Sequence, residues 1–269
     1  MERFQSVFGV SKPIIGMIHL LALPGSPNYK GDGLAHIVEA AVRDATRLKD
    51  GGVDAILVEN YRDYPFKPAT TDPETVASMT AVIKEISREV NLPIGVQILR
   101  NSAISGLAVA HATGSQFMRV NVLVEAMATD QGIIQGCAHD LLRYRKSLGA
   151  EHILILADVH SKHAAPIGNR PVEESAKDTA HRGMADALII SGARTGAEPD
   201  IDKLRRVRNA VPDTPIVIGS GFSRENAKEL FKYANGAIVG TSLKEGGVTE
   251  NPVDESRVKN LMSFVRSLR

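Results

Sequence analysis

"IVIGSGFSRENAKELFKYANGAIVGTSLKEGG", residues 216–247, holds two short apolar runs, each stopped by a turn of small residues. Gly219-Ser220-Gly221 closes the first and Gly240-Thr241-Ser242 the second, and an amphipathic pattern over 223–234, with Ser223 as its cap, joins them. Runs that are almost continuously Val, Ile and Ala suit strands buried on both faces, which is the condition of a parallel sheet covered by helices. The stretch therefore reads as strand, turn, helix, strand, turn.

The same unit repeats upstream. Residues 13–20, 54–60, 93–99, 115–122, 152–159 and 186–191 read as six further strands, and 215–220 and 236–241 bring the number to eight. Helical patterns occupy 33–52, 71–90, 102–113, 139–150, 171–183, 200–211, 223–234 and 254–268. Ile37, Ala41, Ala45 and Leu48 fall on one face of the first, which Gly51 and Gly52 terminate. Asp72 and Pro73 mark the start of the second as N-cap and first-turn residues. Eight β-α repeats predict an α/β fold, a single (β/α)8 TIM barrel occupying 1–269 as one domain. A doubly wound open sheet would carry G-x-G-x-x-G after its first strand. Here that place is taken by "LALPGSPNYKGDG" (21–33), which lacks it.

The bulk properties narrow the function classes. The 32 basic and 31 acidic side chains nearly cancel, so no electrostatic reason exists to expect a nucleic-acid polymer or an anionic membrane as partner. Trp is absent and aromatics make up 4%, too few for base-stacking platforms. No apolar run approaches bilayer length, so no membrane insertion is expected. The segment "MERFQSVFGVSKP" has no apolar signal core. The single cysteine, Cys137, cannot form an internal disulfide and reads as structural. A cytoplasmic location is the expectation, and a homo-oligomer is compatible with these properties.

In such a barrel the chemistry gathers at the C-terminal strand ends. The first strand delivers His19, the second Glu59 and Asn60, the third Gln97, Arg100 and Asn101, and the fourth Arg119 and Asn121. The fifth delivers Asp158, His160, Lys162 and His163, and the sixth Ser191, Arg194 and Thr195. His19, Glu59, Asp158, His160 and Lys162 are the candidate catalytic residues. Arg119, Asn121, Ser191, Gly219, Ser220, Gly221, Gly240, Thr241 and Ser242 are the candidate substrate- and phosphate-binding set. Glycine turns after the seventh and eighth strands let backbone N–H groups converge on an anion, and a helix start near Ser223 and an extra helical turn in "LKEGG" would add to the field.

"DVHSKHAAP" (158–166) is the densest of these stretches. Extended alternation would aim Asp158, His160 and Lys162 to one side. Three uses are open: a divalent metal held by Asp158 and His160 with His19 or Glu59, acid–base work, or Lys162 pairing with an anion or attacking a carbonyl. Neither HxH nor HExxH spacing supports the metal, and the bland reading is an Asp–Lys ion pair with a wet loop histidine. The loop "NYRDYPFKPATTDP" (60–73) is long enough to cover the mouth, with Tyr61, Tyr64 and Phe66 as rim residues. His111, His139 and His181 sit in helical patterns and read as surface residues.

The stretches "GMIHLLALPGSP" (16–27), "VENYRDYPF" (58–66), "RVNV" (119–122), "ADVHSKHA" (157–164) and the opening pair of glycine turns together resemble the BtpA/SgcQ family over essentially the whole chain. The resemblance implies a barrel of the ribulose-phosphate-binding class. It also implies kinship with a protein named for photosystem I biogenesis, although members occur in non-photosynthetic organisms, some beside sugar-utilisation genes. Two departures stand out: Arg62 where members tend to carry glycine, and Ser161 where an apolar residue is common before Lys162.

Two functions from different classes follow. One is an enzyme on a phosphorylated sugar or nucleotide, working as a lyase, isomerase or glycosyl-bond enzyme. The other is a non-catalytic assembly or stability factor. A flavin could place its phosphate at the same turns, but no residue specifies its ring, and the sequence requires no cofactor.

Overall fold

Strands β1 (Ile14–His19), β2 (Ala55–Glu59), β3 (Ile94–Gln97), β4 (Phe117–Val120), β7 (Leu154–Asp158), β9 (Ala187–Ile190), β10 (Ile216–Ile218) and β11 (Gly236–Val239) pair in parallel and close on themselves, β11 lying beside β1. The computed structural model describes Met1 to Arg269. All eight expected strands form, each within its expected range. The helices α2 (Gly33–Gly51), α3 (Pro73–Glu89), α4 (Ala103–Thr113), α5 (Ala138–Ser147), α6 (Val172–Lys177), α7 (Ile201–Ala210), α8 (Ala227–Leu230) and α9 (Glu255–Arg266) follow the strands in turn.

The period of two along each strand separates two cores. Ile14, Ile18, Ile56, Val58, Ile94, Val96, Met118 and Val120 face outward and join the helices in one large cluster that includes Ile37, Ala41, Ala45 and Leu48 of α2. Ile15, Met17, Ala55, Leu57, Phe117, Leu154, Leu156, Ala187, Ile189, Val217 and Ile238 face inward and fill the barrel. Phe4 and Phe8, one turn apart on the N-terminal helix α1 (Glu2–Phe8), join this inner cluster, Phe8 meeting Phe117 edge-on at 5.2 Å. α1 thus plugs the N-terminal end of the barrel.

Gly95 supplies the space for Phe117: a Cβ there would stand 2.1 Å from Phe117 Cε2. Gly95→Ala is expected to destabilise the fold by about 1–3 kcal/mol through overpacking. Phe117→Leu in the same chain should recover part of the loss, giving a non-additive cycle by urea denaturation.

Three local expectations are corrected. The helix expected over 223–234 shrinks to Ala227–Leu230, and its cap is Asn226 rather than Ser223. The Ser223 N–H donates to Asn226 Oδ1 at 2.9 Å and Asn226 Nδ2 donates to the Gly221 carbonyl at 2.7 Å, so side-chain bonds hold this segment as turns. The helix over 171–183 passes after Lys177 into a π turn, Asp178–Arg182. Finally, the connections after β4 and β7 are not plain loops. β5 (Ala126–Thr129), β6 (Gly132–Gln135) and β8 (Ala164–Pro166) build an antiparallel sheet ordered β6-β5-β8 at the C-terminal side of the barrel.

Candidate active site at the barrel mouth

Continuing each inward row by one position gives the site. After Ile15 and Met17 comes His19; after Leu57, Glu59; after Gly95, Gln97; after Phe117, Arg119; after Leu156, Asp158; after Ile189, Ser191; after Val217, Gly219; and after Ile238, Gly240. Six polar groups and two glycines therefore cap an otherwise apolar interior. The parallel register sets His19 beside Glu59 and Glu59 beside Gln97.

At the centre lies a buried ion pair. Arg119 donates from Nη2 to Asp158 Oδ1 at 2.8 Å and from Nε to Oδ2 at 3.2 Å, and each side chain is 1% exposed. Asn121 Nδ2 adds a third donor to Asp158 Oδ2 at 2.9 Å. A carboxylate accepting three such bonds serves to fix the guanidinium. Asp158 is thus placed as the anchor of Arg119, whose own basicity is raised by that partner against the effect of burial.

Glu59 has a different setting. It is buried, and its carboxyl group accepts no hydrogen bond from the chain. Burial raises its pKa, while the positive charges of Lys162 and Arg119 work against the rise. The Lys162 ammonium lines the cavity and enters no ion pair. Burial, reinforced by Arg119, lowers its pKa to about 8, although Glu59 and Asp158 pull the other way. His19 is held well below the usual imidazole range by burial and by the charges of Lys244 and Lys162, so it is neutral at pH 7. Its ring meets that of Tyr61 at 4.6 Å, tilted by 39°.

Several buried polar atoms here have no partner in the chain: His19 Nδ1, both amide atoms of Gln97, Asn121 Oδ1 and Ser191 Oγ. Leaving such groups unpaired costs about 1–3 kcal/mol each, so a cluster of them at one end of a barrel marks a surface made for a ligand.

The glycine turns form the wall opposite. A cavity of about 200 Å3 is lined by His19, Arg119, Lys162, Thr195, the turn residues 219–223 and 240–242, and the exposed rim residue Glu198. The backbone N–H groups of Gly221, Phe222, Thr241 and Ser242 donate to no acceptor in the chain. Gly221 has φ +66°, and a Cβ there would stand 2.3 Å from the Ala197 carbonyl oxygen. Gly219 and Gly240 keep the approach open: a Cβ would lie 2.4 Å from Ser191 Oγ in the first case and 3.0 Å from His19 Cε1 in the second. The hydroxyls of these turns are already used. Ser220 Oγ accepts from Gly192 N–H and donates to the Ala197 carbonyl, Ser242 Oγ donates to the Phe222 carbonyl, and the Thr241 and Thr249 hydroxyls bond each other. What the turns offer is backbone N–H, with a short 3-10 turn, Thr241–Leu243, after the second. The helix dipole expected at Ser223 is absent, since α8 begins only at Ala227.

His160 is not brought into this group, which corrects the expected alternation. β7 ends at Asp158, and His160 takes φ +53°, turning its ring away. Its Nε2 meets Ser175 Oγ at 3.0 Å, and that hydroxyl donates to Glu125 Oε1 at 2.8 Å. The Asp158–His160 pairing proposed for a metal therefore does not form, and no three His, Cys, Asp or Glu side chains cluster as metal ligands.

Other strand-end residues hold the loops. Asn60 accepts from Leu99 N–H and donates to Asp63, which accepts from Leu23 N–H. Asn101 pairs through both amide atoms with the Val122 backbone. Arg100, which sequence reasoning left outside the candidate set, donates to the Lys162 carbonyl at 2.6 Å and so places that residue. Ser161, one of the two departures from the family pattern, is buried within 3.4 Å of Arg100 Nη2. Arg62, the other, donates to the Glu250 carbonyl and lines a small pocket with it beside His19. Gln97 was visible as a strand-end residue, but only its unpartnered amide marks it for the site. Cys137 is mostly buried with a thiol pKa pushed up to about 11, in keeping with a structural role. His111, His139 and His181 are exposed.

The BtpA family model matches residues 10–267. An uncharacterized protein of Thermococcus kodakarensis is 47% identical over 258 residues, covering 96% of this chain and 97% of that protein. The Photosystem I biogenesis protein BtpA of Synechocystis is 45% identical over 258 residues, covering 96% and 89%. Among solved structures, the phosphoribosyl anthranilate isomerase of Thermus thermophilus superimposes with a TM-score of 0.57 at 11% identity, over 96% of this chain and 100% of that one. At that identity the likeness speaks for the TIM-barrel fold alone. No helix is long and apolar enough to cross a membrane.

Proposed function

The chain belongs to the BtpA family, and from that premise and the geometry of its mouth we propose that it is an enzyme binding a phosphorylated small molecule, a sugar phosphate or nucleotide. The observation that carries this reading is the convergence of unused donors. Gly221, Phe222, Thr241 and Ser242 present free N–H groups to the same cavity that Arg119 and Lys162 line. Backbone donors backed by fixed cations suit a phosphate dianion, and glycines remove the side chains that would obstruct it. The rest of the ligand would extend across the mouth past Ser191 and Gln97, where unpaired polar atoms wait for hydroxyl or carbonyl partners, toward Glu59. His19, neutral, and Glu59, with a raised pKa, supply the acid–base groups for lyase, isomerase or glycosyl-bond chemistry.

The name of the Synechocystis relative favours a second reading, an assembly factor without catalysis. Its identity of 45% is no higher than the 47% of the Thermococcus relative, so similarity alone does not favour it. A structural scaffold would also have no use for the unpaired polar groups of the mouth.

Inorganic phosphate should raise the melting temperature in a saturable way, because a ligand that binds only the folded state stabilises it. Gly221→Asp should reduce the apparent phosphate affinity by at least 100-fold, since it puts a carboxylate and a strained φ among the donors. An unchanged affinity in that variant, or no saturable effect in the parent chain, would overturn the phosphate site.

A further inference from the structure

The geometry points to Lys162 as a nucleophile that forms an imine with an aldehyde or ketone carbonyl of the phosphorylated ligand. This deepens the phosphate reading above and rests on it. Lys162 lies in the same cavity as the glycine turns, yet its amine has no carboxylate within 4.0 Å and no hydrogen bond. An exposed lysine would find water, and a structural buried one would find an ion pair, as Lys244 does with Asp44 at 3.1 Å. Lys162 has neither.

Its backbone is also fixed with unusual care. The flanking residues His160 and His163 both have φ +53°, Arg100 grips the Lys162 carbonyl at 2.6 Å, and the His163 N–H donates to Ala193. Such local strain, held from two neighbouring loops, is characteristic of a side chain whose direction matters. The nearby positive charge of Arg119 and the burial of the amine favour its neutral form, and its titration near 8 follows from both.

Glu59 completes the chemistry. It and Lys162 act on each other electrostatically but stay more than 4.0 Å apart, which leaves space for a reacting carbon between them. The ammonium gives its proton through one water to the Glu59 carboxylate, and the neutral amine adds to the carbonyl carbon. The C=O π pair moves to oxygen, which takes a proton from the added nitrogen and becomes a hydroxyl, forming a carbinolamine. Glu59, now a carboxylic acid, protonates that hydroxyl, which leaves as water while the nitrogen lone pair forms the C=N bond. The products are a protonated imine on Lys162, one water and the Glu59 carboxylate, so no oxidant, reductant or further reactant is needed. The positive nitrogen then withdraws electrons from the adjacent carbon, as lyase or isomerase chemistry requires.

The test treats the full-length protein with dihydroxyacetone phosphate, ribulose 5-phosphate and fructose 6-phosphate in the presence of cyanoborohydride, followed by peptide mass mapping. Melting with inorganic phosphate runs in parallel. The expected result is a reduced adduct on Lys162 with at least one phosphorylated ketone, formed at least tenfold faster than with dihydroxyacetone and absent in Lys162→Met. Lys162→Arg, which keeps the positive charge, should also lose the adduct. Phosphate stabilisation without any adduct at Lys162 would overturn the imine and leave the phosphate site standing. An adduct formed equally fast with dihydroxyacetone would overturn the phosphate anchoring instead. Absence of both effects would overturn both.

Discussion

Asp158→Ala is expected to cost about 3–5 kcal/mol of folding stability and to abolish phosphate stabilisation. The change leaves the Arg119 guanidinium inside the barrel with neither of its two carboxylate contacts, and it strips Asn121 of the acceptor at 2.9 Å. The loss measures an uncompensated buried charge rather than the worth of the pair. The pair itself is worth little net, because removing both ions from water offsets most of their attraction. The double variant Arg119→Met/Asp158→Leu should therefore recover most of the stability while remaining unable to bind phosphate. Urea denaturation of the parent and the two variants compares the costs, and phosphate melting gives the function. A cost below about 1 kcal/mol for Asp158→Ala would mean that water reaches the pair as it does at a surface. The mouth would then lack the dry character on which the proposed chemistry depends.

The barrel was legible in the sequence because one physical constraint dominates it. Strands such as 216–218 and 236–239 are buried on both faces, so they are apolar throughout, and small turns mark their ends. The parts that escaped are those where this constraint weakens. β5 and β6 are four residues each, half exposed, and joined by a two-residue turn at Asp130-Gln131; their short alternation lies within a loop of mixed polarity. The helix over 223–234 failed because Asn226 offered the backbone closer partners than a helix would. α1 did carry a signal, Phe4 and Phe8 four apart, but an isolated seven-residue helix forms only because the open end of the barrel receives it.

At the mouth, the inward row His19, Glu59, Gln97, Arg119, Asp158, Ser191 could be read by counting in twos from the apolar positions. What counting cannot supply is the division of labour among like residues. Asp158 and Glu59 are both carboxylates at strand ends, yet one is saturated by Arg119 and Asn121 and the other stands without a donor. His160 left the row through a positive φ that no side-chain pattern encodes. Asn60 and Asn101 spend their amides on neighbouring loops, whereas Asn121 keeps one oxygen unpaired. These distinctions arise from contacts between residues tens of positions apart, and only the closed barrel brings those residues together.

Glu59→Gln should slow reductive trapping at Lys162 by about 100- to 10,000-fold, the range of a lost general acid–base group, with phosphate affinity within twofold of the parent. The amide keeps the shape but can neither accept the ammonium proton nor return it to the carbinolamine hydroxyl. The pH profile separates this from simple damage. Lys162 faces Arg119, Glu59, Asp158 and Arg100, with His19 and His163 also in range of its charge. In the parent chain trapping rises with pH as the amine deprotonates near 8. Glu59 does more than Asp158 to hold the Lys162 pKa up, so its neutralisation should move the rise to lower pH. Stability should respond in a matching sense. A carboxyl group whose pKa is raised on folding contributes stability that is complete below its unfolded pKa and is lost as pH rises through its folded one. Glutamine escapes that loss, so Glu59→Gln should match or exceed the parent's melting temperature at pH 7, an advantage that shrinks as the pH falls toward 4. A protein that traps at the parental rate, with the parental midpoint, would remove Glu59 from the proton transfer and leave Lys162 to act through water.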